Sequence, residues 1–360
     1  MYIRADNCVK TRLVTGTTMK RKILSATVCL LIALAVVLLS GCRTQAPLSL
    51  WNENAPAKTA LSDYIRTVTD KGSPDFIPVE NRIAVFDFDG TLFLETDPTY
   101  FDWQLFEHRV LEDPSYKATD EQLAAARASR KGKFPKLDKN RERMVAEAYR
   151  GMTLDEFYAF VSKFMTTDQP GFNGLKRGDA YYRPMLEVID LLRQNGFTVY
   201  VISGTERYTM RPLTAVLRLP PARIIGSDNT LVASGQGGKD GLDYVFVKGD
   251  KVLLGGANIV KNLQMNKVSI IMREIGIQPV LAFGNTMSDA SMLNYTISGN
   301  RYKALGFMLL CDDLVREYGN MKKADAMRRN CRKYGWVPVS MRDDWKTIYG
   351  DGVTRKGTNK

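Results

Sequence analysis

A short apolar run, Ile83–Phe86, stops at Asp87, and the chain continues Phe88-Asp89-Gly90-Thr91. Four apolar residues bounded by turn-formers read as a strand buried on both faces. Two carboxylates one residue apart at the tip of such a strand repel each other and resist burial. The tip therefore needs a partner. In an open parallel α/β sheet, ligands sit beyond the carboxyl ends of the strands, and that is where this tip belongs.

The rest of the chain supplies the sheet. "MLEVIDLLRQNG" is an amphipathic helix ending at Gly196, and "TVYVISG" is a buried strand. "RIIGS" is a short strand, and "YVFVKGDKVLLGG" is expected to be a hairpin turning at Gly249-Asp250. "KVSIIMREIGI" is a helix, while "PVLAFGN" and "ALGFMLLCDD" are strands. Strands alternating with helices predict an α/β fold: a three-layer, Rossmann-like parallel sheet covered on both faces.

Between Phe93 and about Arg177 the character changes. "YFDWQLFEHRVL", "TDEQLAAARASR", "KNRERMVAEAYRG" and "TLDEFYAFVSKFM" carry helical spacing, and strand signals are scarce. The division expected is a core over 81–92 and 179–350, with an inserted helical cap over 93–178. Residues 42–80, polar and bearing Pro47, Pro56, Pro74 and Pro78, read as a tether with a short helix near Thr59–Thr69.

Four features meet at one edge of that sheet: Asp87 to Thr91, then Ser203-Gly204-Thr205, then Lys267 near a helix start, then Gly284-Asn285-Thr286-Met287-Ser288-Asp289. Each alone is weak, but all four in this order are specific. On these residues the chain resembles the haloacid dehalogenase superfamily, and within it the phosphoserine phosphatase-like branch, over roughly residues 80–315. "VFDFDGTL", "VYVISG", Lys267 and "FGNTMSD" look like its four motifs. "RMVAEAYRGMTLDEF" is similar to the branch's helical cap. The resemblance implies phosphoryl transfer through an aspartyl-phosphate.

The chemistry fits those residue types. A phosphomonoester dianion repels nucleophiles, and a divalent cation, Mg²⁺, between Asp87 and the phosphate cancels the repulsion. Asp87 is then the nucleophile, and Asp89 gives a proton to the leaving oxygen and later takes one from water. The Gly90-Thr91 turn is expected to aim backbone N–H groups at the phosphate, with Gly204 on the facing loop. Ser203 is expected to hydrogen-bond a transferring oxygen, and Lys267 to neutralise its charge. Asp87, Asp89, Asn285 and Asp289 are the expected metal ligands. Asn285 departs from the family pattern, where an aspartate is usual. An amide oxygen can ligate Mg²⁺ but brings no charge.

Glu95 lies one residue off the place where phosphoserine phosphatases carry a glutamate that helps read the substrate amine. It stands either as a substrate contact or as a solvated acid. Tyr100, Phe101, Trp103 and Phe106 read as cap core, and Arg141, Arg143 and Arg183 as solvated residues or a clamp for an anionic substrate tail. The single histidine, His108, reads as surface. Cys311 and Cys331 could pair or remain thiols.

The chain has 360 residues, 44% hydrophobic and 25% charged, which excludes disordered and fibrous classes. Its start is different. Lys20-Arg21-Lys22 precede an apolar run from Ile23 to Leu39, then Ser40-Gly41-Cys42. This is the layout of a secretory signal, and its end resembles the bacterial lipobox. That resemblance implies cleavage before Cys42, lipid on its sulfur and a place in the cell envelope, facing the periplasm or exterior. It also implies a true start at Met19, with residues 1–18 an extension. A plain membrane anchor is the alternative. Residues 1–41 hold six basic residues and one acid, so removing them takes the net charge from +12 to +7. No basic–aromatic pattern suggests nucleic acid. The expected protein is a tethered, Mg²⁺-dependent phosphomonoesterase acting on a small phosphorylated metabolite. A phosphotransferase with the same intermediate, or a binding lipoprotein without turnover, are the alternatives. Nothing in the sequence sets the oligomeric state.

Overall fold

Alternation along β1 (Ile83–Phe86) sends Ala84 and Phe86 to one face of a sheet and Ile83 and Val85 to the other. The same sorting holds in β7 (Leu305–Leu310), where Phe307 and Leu309 face one way and Met308 and Leu310 the other. Both faces are therefore apolar and both need cover. Helices α1 (Pro56–Thr69) and α6 (Arg183–Gln194) supply it on one side through residues such as Leu61, Val68, Val188 and Leu192. Helices α8 (Met265–Glu274), α9 (Ala290–Ile297) and α10 (Met321–Tyr334) supply it on the other through Ile270, Leu293 and Met327. The result is the expected α/β three-layer arrangement. The computed structural model describes residues 48–95 and 97–357.

The sheet has seven strands. With β3 (Thr198–Glu206), β4 (Ile224–Ala233), β5 (Val252–Val260), β6 (Leu281–Gly284) and β8 (Val337–Ser340), the order is β5-β4-β3-β1-β6-β7-β8. All neighbours pair in parallel except β4 and β5. Phe86, Phe283 and Phe307 stack across three adjacent strands, with centroids 4.3 and 4.8 Å apart. β1 and β6 are thereby registered side by side, and their tips open on the same edge.

The segment between β1 and β3 holds α2 (Phe101–Leu111), α3 (Asp120–Ser129), α4 (Lys139–Ala148) and α5 (Leu154–Met165). α3 and α5 each begin with a capping box, Thr119 with Gln122 and Thr153 with Glu156, which satisfies backbone donors that a helix start otherwise leaves bare. A two-stranded ribbon pairs β2 (Phe172–Asn173) with β9 (Thr354–Arg355). Among the described residues no helix is long and apolar enough to cross a membrane. The apolar run 23–39 and Cys42 lie outside them.

Two expectations are corrected. The expected hairpin over 244–256 does not form. Tyr244–Lys248 lies in the loop between β4 and β5, with Val245 81% exposed, and the antiparallel partner of β5 is a lengthened β4. Single-strand pattern cannot show which apolar run finds the edge of the sheet. Residues 48–80 are not a free tether either. Trp51 and Leu61 are buried, and Tyr64 donates to the Val280 and Lys303 carbonyls. Pro56 opens α1 at its first position, Pro74 lies in a turn, and Pro78 precedes a short helical turn. Cys311 and Cys331 are free thiols.

Candidate active site

The site begins where β1 ends. The Asp87 amide donates to the Phe283 carbonyl at 2.9 Å, which ties the first acid to the tip of β6. From α8, the Lys267 ammonium reaches back to the same point. It has no exposed surface and donates to Oδ1 of Asp87 and Oδ1 of Asp289, each at 2.6 Å. A buried ammonium needs such partners, since an unpaired charge there is very costly. The flanking carboxylates outweigh burial and raise the Lys267 pKa, so it stays charged. Burial, with Asp289 nearby, pushes Asp87 up, while Lys267 and the Phe88 amide pull it back.

Asp89 has a different environment. Oδ2 accepts from the Thr205 hydroxyl at 2.6 Å, and Oδ1 is buried without a partner. Burial holds its carboxyl well above the usual range, against the Thr205 hydrogen bond, and Asp102, Asp87 and Glu95 add to the rise. Asp87 is thus ion-paired while Asp89, two residues on, is buried without an ion pair, so the two carboxyls stand in unlike environments.

The third group gathers around Asn285. Its Nδ2 donates to Oε2 of Glu95 at 3.1 Å. The same Oε2 accepts from Lys323 of α10 at 2.8 Å, and Oε1 of Glu95 accepts from the Tyr100 hydroxyl at 3.1 Å. Asn285 Oδ1 is buried with no partner. Asp87, Asp89, Glu95, Asn285, Ser203 and Gly204 all line one cleft, together with Tyr100, Asp102 and Arg141 from the inserted helical segment.

The family model for haloacid dehalogenase-like hydrolases matches residues 84–294, from the middle of β1 into α9. The chain belongs to this family. No curated protein matches it. Among solved structures, cytosolic 5'-nucleotidase IIIB bound to cytidine is 13% identical, covering 83% of this chain and 92% of its own, with a TM-score of 0.47. A substrate-bound phosphoserine phosphatase is 17% identical, covering 71% and 98%, with a TM-score of 0.36. A phosphoserine phosphohydrolase-like protein from Francisella tularensis subsp. tularensis SCHU S4 is 15% identical, covering 64% and 87%, with a TM-score of 0.35.

Several expectations for this hydrolase need revision. The Gly90 and Thr91 amides are spent inside their own turn, on the Phe93 and Phe88 carbonyls, so they are not free to face a phosphate. Thr91 is fully buried. Asp289 does not present a free oxygen: Oδ1 holds Lys267, and Oδ2 accepts from the amides of Asn285 and Thr286. It shapes the loop and anchors the lysine. Glu95 lines the cleft but has both oxygens engaged by the protein, which leaves it poorly placed to read a substrate amine. Ser203 sits inside β3, not at its end, and its hydroxyl accepts from the Thr205 amide at 3.0 Å.

Of the three arginines, only Arg141 reaches the cleft. It is buried over the Trp103 ring at 4.7 Å, 3.9 Å from Asp102, with its Nε unpartnered. Arg143 pairs with Glu121 and Glu147, and Arg183 donates to the Tyr349 carbonyl. Phe101, Trp103 and Phe106 are core, whereas Tyr100 lines the cleft. His108 pairs with Glu112 and stacks on Phe164.

The sequence assigns no role of their own to Thr205, Lys323 and Asn262. Asn262 Nδ2 donates to the Ser203 carbonyl at 3.0 Å, holding the strand at the cleft. Thr205 had a signal, since it follows Ser-Gly directly. Lys323 had none, lying 228 residues from Glu95.

A hard cation fits the cleft by donor chemistry. Oδ1 of Asn285, buried without a partner, stands in the same cleft as the Asp87 carboxylate, and oxygen is what Mg²⁺ takes. Among the described residues no group of three or more His, Cys, Asp or Glu is placed to hold a metal.

Proposed function

We propose that the chain is a metal-dependent phosphomonoesterase of the phosphoserine phosphatase-like branch, acting on a small phosphorylated metabolite through a covalent aspartyl-phosphate. The observation that carries this is the pair Asp87 and Asp89: one carboxylate paired with buried Lys267, the other buried on the Thr205 hydroxyl with Oδ1 free in the cleft.

An Asp87 oxygen attacks phosphorus, and the bond from phosphorus to the leaving oxygen breaks. That oxygen takes the Asp89 proton. Asp89, now a carboxylate, takes a proton from water as the water oxygen attacks phosphorus, which frees Asp87 and releases inorganic phosphate. Lys267 fixes the Asp87 rotamer and offsets charge on the phosphoryl group. Asp87 and Asn285 would hold Mg²⁺, whose charge cancels the repulsion between dianion and nucleophile. Asp89, whose pKa burial raises, is left for the proton. The buried Arg141 guanidinium, lining the same cleft, favours a substrate with a second anionic group.

The reading places the enzyme in the cell envelope, as a lipoprotein anchored through Cys42, on the strength of Leu39-Ser40-Gly41-Cys42. The experiment is hydrolysis of p-nitrophenyl phosphate and a panel of phosphorylated metabolites by the full chain, with EDTA and with Mg²⁺ restored. Turnover that EDTA abolishes and Mg²⁺ restores is expected. No turnover of any phosphomonoester with Mg²⁺ present overturns the proposal.

A further inference from the structure

We propose that Glu95 is a positioning residue for the cation site: it locks the side-chain amide of Asn285 so that Oδ1 is the atom left to ligate, and it excludes an aspartate from that position. The inference rests on the metal-dependent reading above.

An asparagine amide has one end that donates and one that accepts. Left to rotate, it presents either. A carboxylate beside it removes the choice, because only Nδ2 can donate to Oε2 of Glu95, and the 3.1 Å contact is that bond. Glu95 is itself fixed. Lys323 donates to Oε2 at 2.8 Å and Tyr100 to Oε1 at 3.1 Å, and the carboxylate is 6% exposed. Asn285 Oδ1 then has no protein partner. Gly90 makes the approach possible. It has φ +73°, and a Cβ there would fall 1.8 Å from Asn285 Nδ2 and 3.1 Å from Glu95 Oε2. The amide lies where any other side chain would stand.

The same geometry accounts for the departure at 285. An aspartate would set a second carboxylate about 3 Å from Oε2 of Glu95, the oxygen that accepts from Lys323. Neither carboxylate has an N–H to donate to the other, so the bond that fixes residue 285 would be lost. Sequence comparison with the family reads Asn285 as a lost charge. The structure reads it as the residue that suits a buried Glu95.

The test titrates the metal-free full chain with Mn²⁺ alone and follows free Mn²⁺ by electron paramagnetic resonance, without substrate. Glu95→Ala should weaken binding by about tenfold, the scale on which outer-shell partners act. Glu95→Gln should stay within about threefold, since its oxygen can accept from both Asn285 and Lys323. Asn285→Asp should bind Mn²⁺ more tightly in the Glu95→Gln background than in the parent. Unchanged binding in Glu95→Ala overturns the inference. Should that variant fail to fold, equal affinity of Asn285→Asp in the two backgrounds overturns it. A parent that binds no Mn²⁺, or an Asp87→Asn chain that binds as well as the parent, overturns the metal reading and this inference together. Glu95 variants that match a parent whose binding does depend on Asp87 sink the inference alone.

Discussion

The Thr205 hydroxyl donates to Oδ2 of Asp89 across 2.6 Å, joining residues 116 apart in sequence. The bond favours the charged carboxylate and works against burial, which raises the Asp89 pKa. Thr205→Val removes the donor, so the pKa should rise further and the acid form should persist to higher pH. With an alkyl phosphate, the alkaline fall of the single-turnover rate should move up by roughly one pH unit. Rapid-quench profiles of the two proteins measure this. An unmoved alkaline limb would remove Asp89 from the role of acid.

Asp87→Asn should lose hydrolysis of p-nitrophenyl phosphate by at least about a thousandfold, as removal of a nucleophile does. The fold should survive, because Lys267 keeps Asp289 as its partner at 2.6 Å. Steady-state rates with circular dichroism check both halves. A loss of only about tenfold would mean another group attacks phosphorus.

Arg141→Gln bears on substrate choice. The guanidinium sits in the cleft, away from Asp87 and Lys267 in sequence and carried by α4 of the inserted helical segment. A contact to a remote anionic group is made equally in ground and transition states, so its loss raises KM and spares kcat. KM should rise about tenfold for phosphorylated carboxylic acids and little for p-nitrophenyl phosphate. Equal effects on both substrates would make Arg141 a packing residue for Trp103.

Glu317 carries a pH-dependence of stability. Burial pushes its carboxyl from an ordinary 4.5 up to about 8, although the Tyr349 hydroxyl donates to it and lowers the value. Oε1 has no partner. The folded chain holds the proton where the unfolded chain releases it. The stabilisation is whole below about 4.5 and drains away as pH rises through about 8. Glu317→Gln should therefore flatten the fall in Tm between pH 5 and 8, roughly the window between the two pKa values, and raise Tm at its upper end. Scanning calorimetry over that range decides it, and parallel curves for the two proteins would count against the assignment.

Much of this was legible along the chain because it depends on local patterns. The run Ile83–Phe86 with its acids, the strand before Ser203, and the loop Gly284–Asp289 each declare a strand end, and their order declares an α/β sheet. Helical spacing between Phe93 and Arg177 marked the inserted segment for the same reason: amphipathic period is a property of consecutive residues. The expectations that failed concern partners. Tyr244–Lys248 reads as a strand until β4 takes its place beside β5. Residues 48–80 read as a tether until Trp51 and Tyr64 find the sheet's helical layer and its loops.

The sequence by itself determined which residues stand at the sheet edge, because strand period and strand order follow from neighbouring side chains. It could not assign their states. Among the described residues Asp89 is buried with the Thr205 hydroxyl as its hydrogen-bond donor, Asp289 gives its oxygens to Lys267 and two amides, and the Asn285 amide donates to a Glu95 that Lys323 also holds. Those are effects of burial and of contacts between residues far apart in sequence. They arise only when the chain closes, since desolvation and hydrogen-bond partners are properties of the packed molecule.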